Sequence, residues 1–198
     1  MMTRTKLVVL ASGQGRILEA LIETYKGNLI APQIAGLIAS RAGIGALKLA
    51  EAHQIPCAIV DIREYPSRED WDRDLCCQLQ AWQTEWILLS GYLVRLGPIV
   101  LGQYDQKVVN SHPSLLPAYG GKGMYGRRVH EAVLANKEKN TGVTIHLVDS
   151  NYDEGPIVAQ RTLAIFPEDN PESLEKRVIE LEKAFVAETI FELCRSMG

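Results

Sequence analysis

The segment Asn110-Ser111-His112-Pro113-Ser114-Leu115-Leu116-Pro117 gathers groups able to steady a developing negative charge. The Asn110 amide and a His112 imidazolium are both hydrogen-bond donors, and two donors aimed at one point form the oxyanion hole that acyl transfer uses. Pro113 and Pro117 stiffen the segment and favour a prearranged site. Taken alone, Asn110 would serve equally well as a strand-end cap and His112 as a surface loop residue. Further along, Tyr152-Asp153-Glu154-Gly155-Pro156 reads as a tight acidic turn. A solvated turn needs no other purpose, but folded back beside His112 it would let Asp153 orient the imidazole and raise its pKa. That would make a tuned acid/base pair. Near the start, Ser12-Gly13-Gln14-Gly15 stands where backbone N–H groups and a helix N-terminus favour an anion such as phosphate. Any tight strand-to-helix reversal also calls for glycine. Leu18 occupies the place of the third glycine of G-x-G-x-x-G, which weakens a dinucleotide reading.

These residues need a scaffold, and the hydrophobic pattern supplies one. Leu7-Val8-Val9-Leu10-Ala11 is a β-rich apolar run, followed after the glycine turn by Leu18, Ala20, Leu21, Ile22 and Tyr25 at helical spacing. Strand candidates recur at Ile34 to Ala39, Cys57 to Val60, Trp86 to Ser90 and Lys107 to Asn110, with helical patterns between them, including one across Trp71, Leu75, Leu79 and Trp82 and one after Leu93. Apolar strands separated by helices imply a parallel sheet covered on both faces. The fold expected is α/β, a doubly wound, mostly parallel, Rossmann-like sheet. Val143 to Val148 and Ile157 to Gln160 suggest a C-terminal antiparallel addition, and a long helix opens at Asn170-Pro171-Glu172-Ser173 and carries Leu174, Val178, Leu181, Phe185, Ile190 and Cys194.

With 198 residues, 46% of them hydrophobic and 23% charged, the chain fits one packed domain over residues 1–198. Its net charge of -3 lacks the basic excess that a phosphate backbone requires, so nucleic acid is not an expected partner. Cys57, Cys76, Cys77 and Cys194 match neither a zinc pair nor a disulfide framework and read as free thiols, with no metal expected. Leu7 to Ser12 is too short an apolar run for a signal-peptide core or a membrane span, which points to a cytoplasmic protein. Small molecules are the expected partners, with a homodimer left open.

The order of these segments, over roughly Lys6 to Phe191, resembles the phosphoribosylglycinamide formyltransferase family. The most specific part is the Asn110 to Pro117 block, followed by Gly121-Lys122-Gly123, the strand Thr144-Ile145-His146 and Asp153-Glu154-Gly155-Pro156. The resemblance implies transfer of a formyl group from 10-formyltetrahydrofolate, as cosubstrate, to the primary amine of glycinamide ribonucleotide in purine biosynthesis. It implies Asn110, His112 and Asp153 as the catalytic trio, with His112 protonated, and Ser12, Gly13, Gln14 and Gly15 as the substrate-phosphate loop. Glu182 matches an acidic residue near the glycinamide end, while Arg68, Leu93, Val94, Leu96 and Tyr152 match positions on the folate side. A cis peptide bond at Leu116-Pro117 is implied too. His146 is equally compatible with a supporting role and with a core role.

Three positions depart from the family pattern. Gly15 is followed by Arg16-Ile17 where Ser-Asn is common, Val94-Arg95 places the basic residue one position late, and Glu182-Lys183 replaces Glu-His. Arg16 is the expected surrogate phosphate ligand, because a guanidinium can donate two hydrogen bonds to one anion. The competing readings are a formyltransferase acting on an amino-sugar nucleotide, which would differ at this loop, and a noncatalytic folate or nucleotide binder, which would not need the trio. Methionyl-tRNA formyltransferase is disfavoured by the acidic charge, and a formyl-folate hydrolase is expected to carry an additional N-terminal domain.

Overall fold

The computed structural model describes residues 4–196. Seven strands form one sheet in the order β3-β2-β1-β4-β5-β6-β7. These are β1 (Lys6–Ala11), β2 (Gln33–Ala39), β3 (Cys57–Ile59), β4 (Trp86–Ser90), β5 (Val108–His112), β6 (Asn140–Leu147) and β7 (Ile157–Ala164). The first five pair in parallel, and β6 and β7 add on antiparallel. The helices are α1 (Arg16–Tyr25), α2 (Gly45–Ala52), α3 (Arg68–Ala81), α4 (Pro98–Gln103), α5 (Arg127–Ala135) and α6 (Pro171–Ser196), with a 3-10 turn at Ile62–Glu64.

Successive residues of a strand face opposite sides of the sheet, and both sides are covered. Leu7, Val9 and Ala11 join Leu88, Val109 and Ile145 in a core closed by α1 and α6, whereas Val8, Leu10, Ile87 and Leu89 pack with Trp71, Leu75 and Leu79 of α3. This is why the parallel strands are apolar at every position rather than alternately. The Tyr25 hydroxyl donates to Ala187 O at 2.8 Å and fastens α1 to α6.

The doubly wound sheet with its antiparallel addition and long final helix agrees with expectation, and the Leu116–Pro117 peptide bond is cis. Several boundaries move. The fifth strand runs on to His112, so Asn110 and His112 both lie on regular β structure. The helix expected after Leu93 starts only at Pro98, because Gly97 and Pro98 set its first turn. α5 was not foreseen, since the glycines of residues 120–126 interrupt any helical pattern leading into it. The acidic turn is a longer excursion, residues 148–156, and Gly155 is obligatory in it: a Cβ there would lie 1.9 Å from Leu147 O.

Candidate active site

The sheet order reverses between β1 and β4, the switch point where open α/β sheets leave a crevice at the carboxyl ends of their strands. A cavity of about 670 Å³ occupies that crevice. The turn after β1 (residues 13–17), the end of β4 and the loop after it (residues 90–93), and the end of β5 (residues 110–113) form its floor. The glycine-rich segment 121–126, the acidic loop at Tyr152 and Asp153, and Glu175, Ile179 and Glu182 of α6 close it in. Its size is that of a ligand pocket.

Asn110 and His112, two residues apart on β5, face the same side of the sheet. The antiparallel register sets His146 directly opposite Asn110. Asn110 Nδ2 lies 3.0 Å from His146 Nε2, and His146 Nδ1 lies 2.8 Å from Leu147 O. The carbonyl needs a donor, so His146 Nδ1 carries a proton and Nε2 can accept from the Asn110 amide. Asp153 arrives from the 148–156 loop with Oδ1 3.4 Å from Asn110 Nδ2 and 3.5 Å from His146 Nε2. Its Oδ2 accepts the Gly121 N–H at 2.9 Å and stands 3.5 Å from His112 Nδ1. The loop thus does fold back beside His112. Asp153 adopts φ 56°, a left-handed conformation that Asp and Asn tolerate better than most residues.

This environment opposes the expected imidazolium. His112 is 4% exposed, and its Nε2–H donates to Tyr119 O at 2.8 Å. Burial pushes its pKa below the ordinary imidazole value, outweighing the attraction of Asp153 and the hydrogen bond to Tyr119. The resting ring is therefore neutral, with the Nδ1 lone pair toward Asp153. For Asp153, burial acts to raise the pKa but is outweighed by the neighbouring His146 and His112 rings and the Gly121 N–H, so its carboxyl stays below the usual range and is ionised at neutral pH.

At the other end of the cavity, Gly13, Gln14, Gly15 and Arg16 line the wall as expected, whereas Ser12 does not. The Ser12 hydroxyl is engaged internally, accepting from Ser40 Oγ at 2.8 Å and from Leu93 N at 3.1 Å. Gly15 has φ 83°, and a Cβ on it would lie 2.9 Å from Ala46 Cα, which accounts for glycine at this position. Arg16 opens α1 with its side chain 54% exposed and 3.9 Å from Glu175, a separation at which an exposed ion pair is weak. Glu182 reaches Ser111 on the α6 side of β5, where Ser111 Oγ donates to Oε1 at 2.5 Å. Burial pushes the Glu182 carboxyl up to about 7 despite that hydrogen bond and the nearby Arg16.

The expected folate side divides. Leu93 and Tyr152 line the cavity and are 56% and 41% exposed, an apolar pair suited to covering an aromatic ring. Leu96 is buried in the core under α3 and the half-buried Val94 packs against it, and neither lines the cavity. Arg68 also lies outside the cavity wall: it donates to the Arg95 carbonyl and its guanidinium sits 5.5 Å from the Trp71 ring. Arg95 in turn donates to Ser150 O and lies over Tyr152, 5.7 Å from its ring centre. Arg68 thereby braces the rim that carries Tyr152.

His146, left between a supporting and a core role by the sequence, joins Asn110 and Asp153. His130, on α5, has no spacing signal at all. Among the described residues no cluster of three His, Cys, Asp or Glu side chains could hold a metal ion, and no helix is long and apolar enough to cross a membrane.

Residues 5–190 match the formyl transferase family model. Phosphoribosylglycinamide formyltransferase of Bacillus subtilis (strain 168) is 32% identical over 95% of this chain and 94% of its own length. The chloroplastic enzyme of the same name from Vigna unguiculata is 33% identical over 96% of this chain, which spans only 61% of that longer relative. Among solved structures, phosphoribosylglycinamide formyltransferase from Bacillus Halodurans superimposes with a TM-score of 0.88 at 34% identity, covering 96% of this chain and 95% of its own.

Proposed function

The chain belongs to the formyl transferase family, and from that premise we propose that it transfers the formyl group of 10-formyltetrahydrofolate to the primary amine of glycinamide ribonucleotide. The observation that carries this reading is the meeting of Asn110, His112, His146 and Asp153 at one end of a cavity whose other end is the glycine turn followed by Arg16. The glycine turn with Arg16 suits a phosphate, and Leu93 with Tyr152 offers a seat for the pterin.

The amine nitrogen attacks the formyl carbon, and the carbonyl π pair moves onto oxygen, where the Asn110 amide donates to it. The attacking nitrogen then carries a surplus proton. His112 Nδ1, whose lone pair is free in the neutral ring, takes that proton, and the Asp153 carboxylate 3.5 Å away stabilises the imidazolium so formed. Return of the electron pair from oxygen breaks the bond from carbon to the folate nitrogen, which takes up the proton held by His112 and leaves as tetrahydrofolate, returning the imidazole to its neutral form. His146 holds the Asn110 amide in place through the 3.0 Å contact.

We read the protein as a small-molecule enzyme of the cytoplasm, a reading that four free thiols support. An amino-sugar nucleotide is the competing acceptor, favoured by Arg16-Ile17 at the phosphate loop. Incubation with 10-formyltetrahydrofolate and either acceptor, following tetrahydrofolate release, tests both. Turnover with glycinamide ribonucleotide at least about tenfold above the amino sugar is expected, and the reverse preference overturns the assignment.

A further inference from the structure

His130 sits on α5, whose Val129 and Val133 are buried. The His130 side chain is itself buried, at 1% exposure. A buried imidazole ordinarily satisfies its ring nitrogens, because an unpaired polar group inside a protein loses its hydration without compensation. His130 Nδ1 has no hydrogen-bond partner. His130 is nevertheless one of the residues that line the cavity, as are Glu175 of α6 and Arg16 of α1. Burial, ahead of the opposing attraction of Glu175 and alongside the repulsion of His112, holds its pKa below the ordinary value. The ring is therefore neutral and offers one donor and one acceptor.

That capacity selects among the parts of a phosphorylated amine. A phosphate is an acceptor and is better served by Arg16 and the main-chain N–H groups of the glycine turn. The amine belongs at Asn110 and His112. The sugar between them carries hydroxyls, which both donate and accept, as the neutral imidazole does. We propose that His130 is a substrate-binding residue whose ring hydrogen-bonds a sugar hydroxyl of the acceptor. This rests on the acceptor reading given above and adds to it a residue on α5, outside the motifs that carry the resemblance.

Two substitutions test it. His130→Leu removes the polar group at nearly constant volume, and His130→Asn returns an amide close to the position of Nδ1. His130→Leu should raise the acceptor KM by about 3- to 10-fold, the loss of one neutral hydrogen bond, with the formyl-folate KM unchanged. Its melting temperature should equal or exceed that of the parent, because an unpaired buried group is gone. His130→Asn should recover part of the acceptor affinity. An unchanged acceptor KM in His130→Leu, an equal rise in both KM values with a lowered melting temperature, or no recovery in His130→Asn would overturn the proposal. Calorimetric binding of ribose 5-phosphate separates this from the choice of acceptor, since it needs no turnover. Weaker binding to His130→Leu than to the parent supports the role of His130 even in a protein that fails to formylate glycinamide ribonucleotide, and equal binding refutes it.

Discussion

Gly121 donates its backbone N–H to Asp153 Oδ2 at 2.9 Å, so the glycine-rich segment over the cavity fixes the carboxylate beneath it. Gly121 has φ 94°, a conformation that L residues rarely adopt, although a Cβ there would meet nothing within 4 Å. Gly121→Ala should therefore act through the backbone: a loss of about 1 kcal/mol in stability and a fall of roughly 10-fold in kcat as the donor shifts. Chemical denaturation beside steady-state kinetics checks this, and an unchanged kcat would show that the contact does not position Asp153.

The neutral state of His112 sets the acid side of the pH profile. Its folded pKa is depressed, so the folded protein binds fewer protons there than the unfolded chain, and that contribution to stability is present above about pH 6.5 and is lost as pH falls through the folded value. Because Nδ1 must be unprotonated to take the amine proton, kcat at saturating substrate should hold through the ordinary imidazole value of about 6.5 and decline only at more acid pH. A kcat that rises on acidification from pH 7.5 to 6 would restore the imidazolium as the working form.

Much of this site is legible from residues alone, and the remainder fails for identifiable reasons. Asn110 and His112 show themselves as a pair of donors at the carboxyl end of a strand, but the acidic turn reads equally well as a solvated one, and it is the family resemblance that joins Asp153 to them. The charge of His112 is not legible, because it depends on burial beneath Tyr119 and the 148–156 loop, and the sequence marks that loop as a turn without saying what it covers. Val94 and Leu96 look like Leu93 in sequence, and only the path of the chain after β4 turns the first two into the core and the third into the cavity. His130 is a lone histidine on a helix that glycines hide.

Arg16 stands exposed and weakly paired, as a residue awaiting an anion would. Arg16→Ala should raise the acceptor KM at least about 10-fold, the loss of a charge-assisted contact, while the formyl-folate KM stays within about 2-fold. Separate saturation curves for the two substrates decide the matter; parallel changes in both would remove Arg16 from the phosphate end.

Glu182 carries a raised pKa, so its folded form binds more protons than the unfolded chain between the ordinary carboxylate range and about 7. Its contribution to stability is complete at low pH and is lost as pH rises through about 7. Glu182→Gln, which mimics the protonated acid, should raise the melting temperature at pH 8 and change it little at pH 5. Equal shifts at the two pH values would mean that the carboxyl is not held protonated.

Catalysis turns on the carboxylate beside His112, and kcat of Asp153→Asn tests this most directly. Asparagine tolerates the φ of 56° and keeps the acceptor for Gly121, so the fold and the melting temperature should persist. Only the charge is lost, and with it the stabilisation of the imidazolium that forms when His112 takes the amine proton. A fall in kcat of at least roughly 10²-fold is predicted, with both KM values little changed. A variant that melts normally and keeps more than about a tenth of the parental kcat would contradict the mechanism.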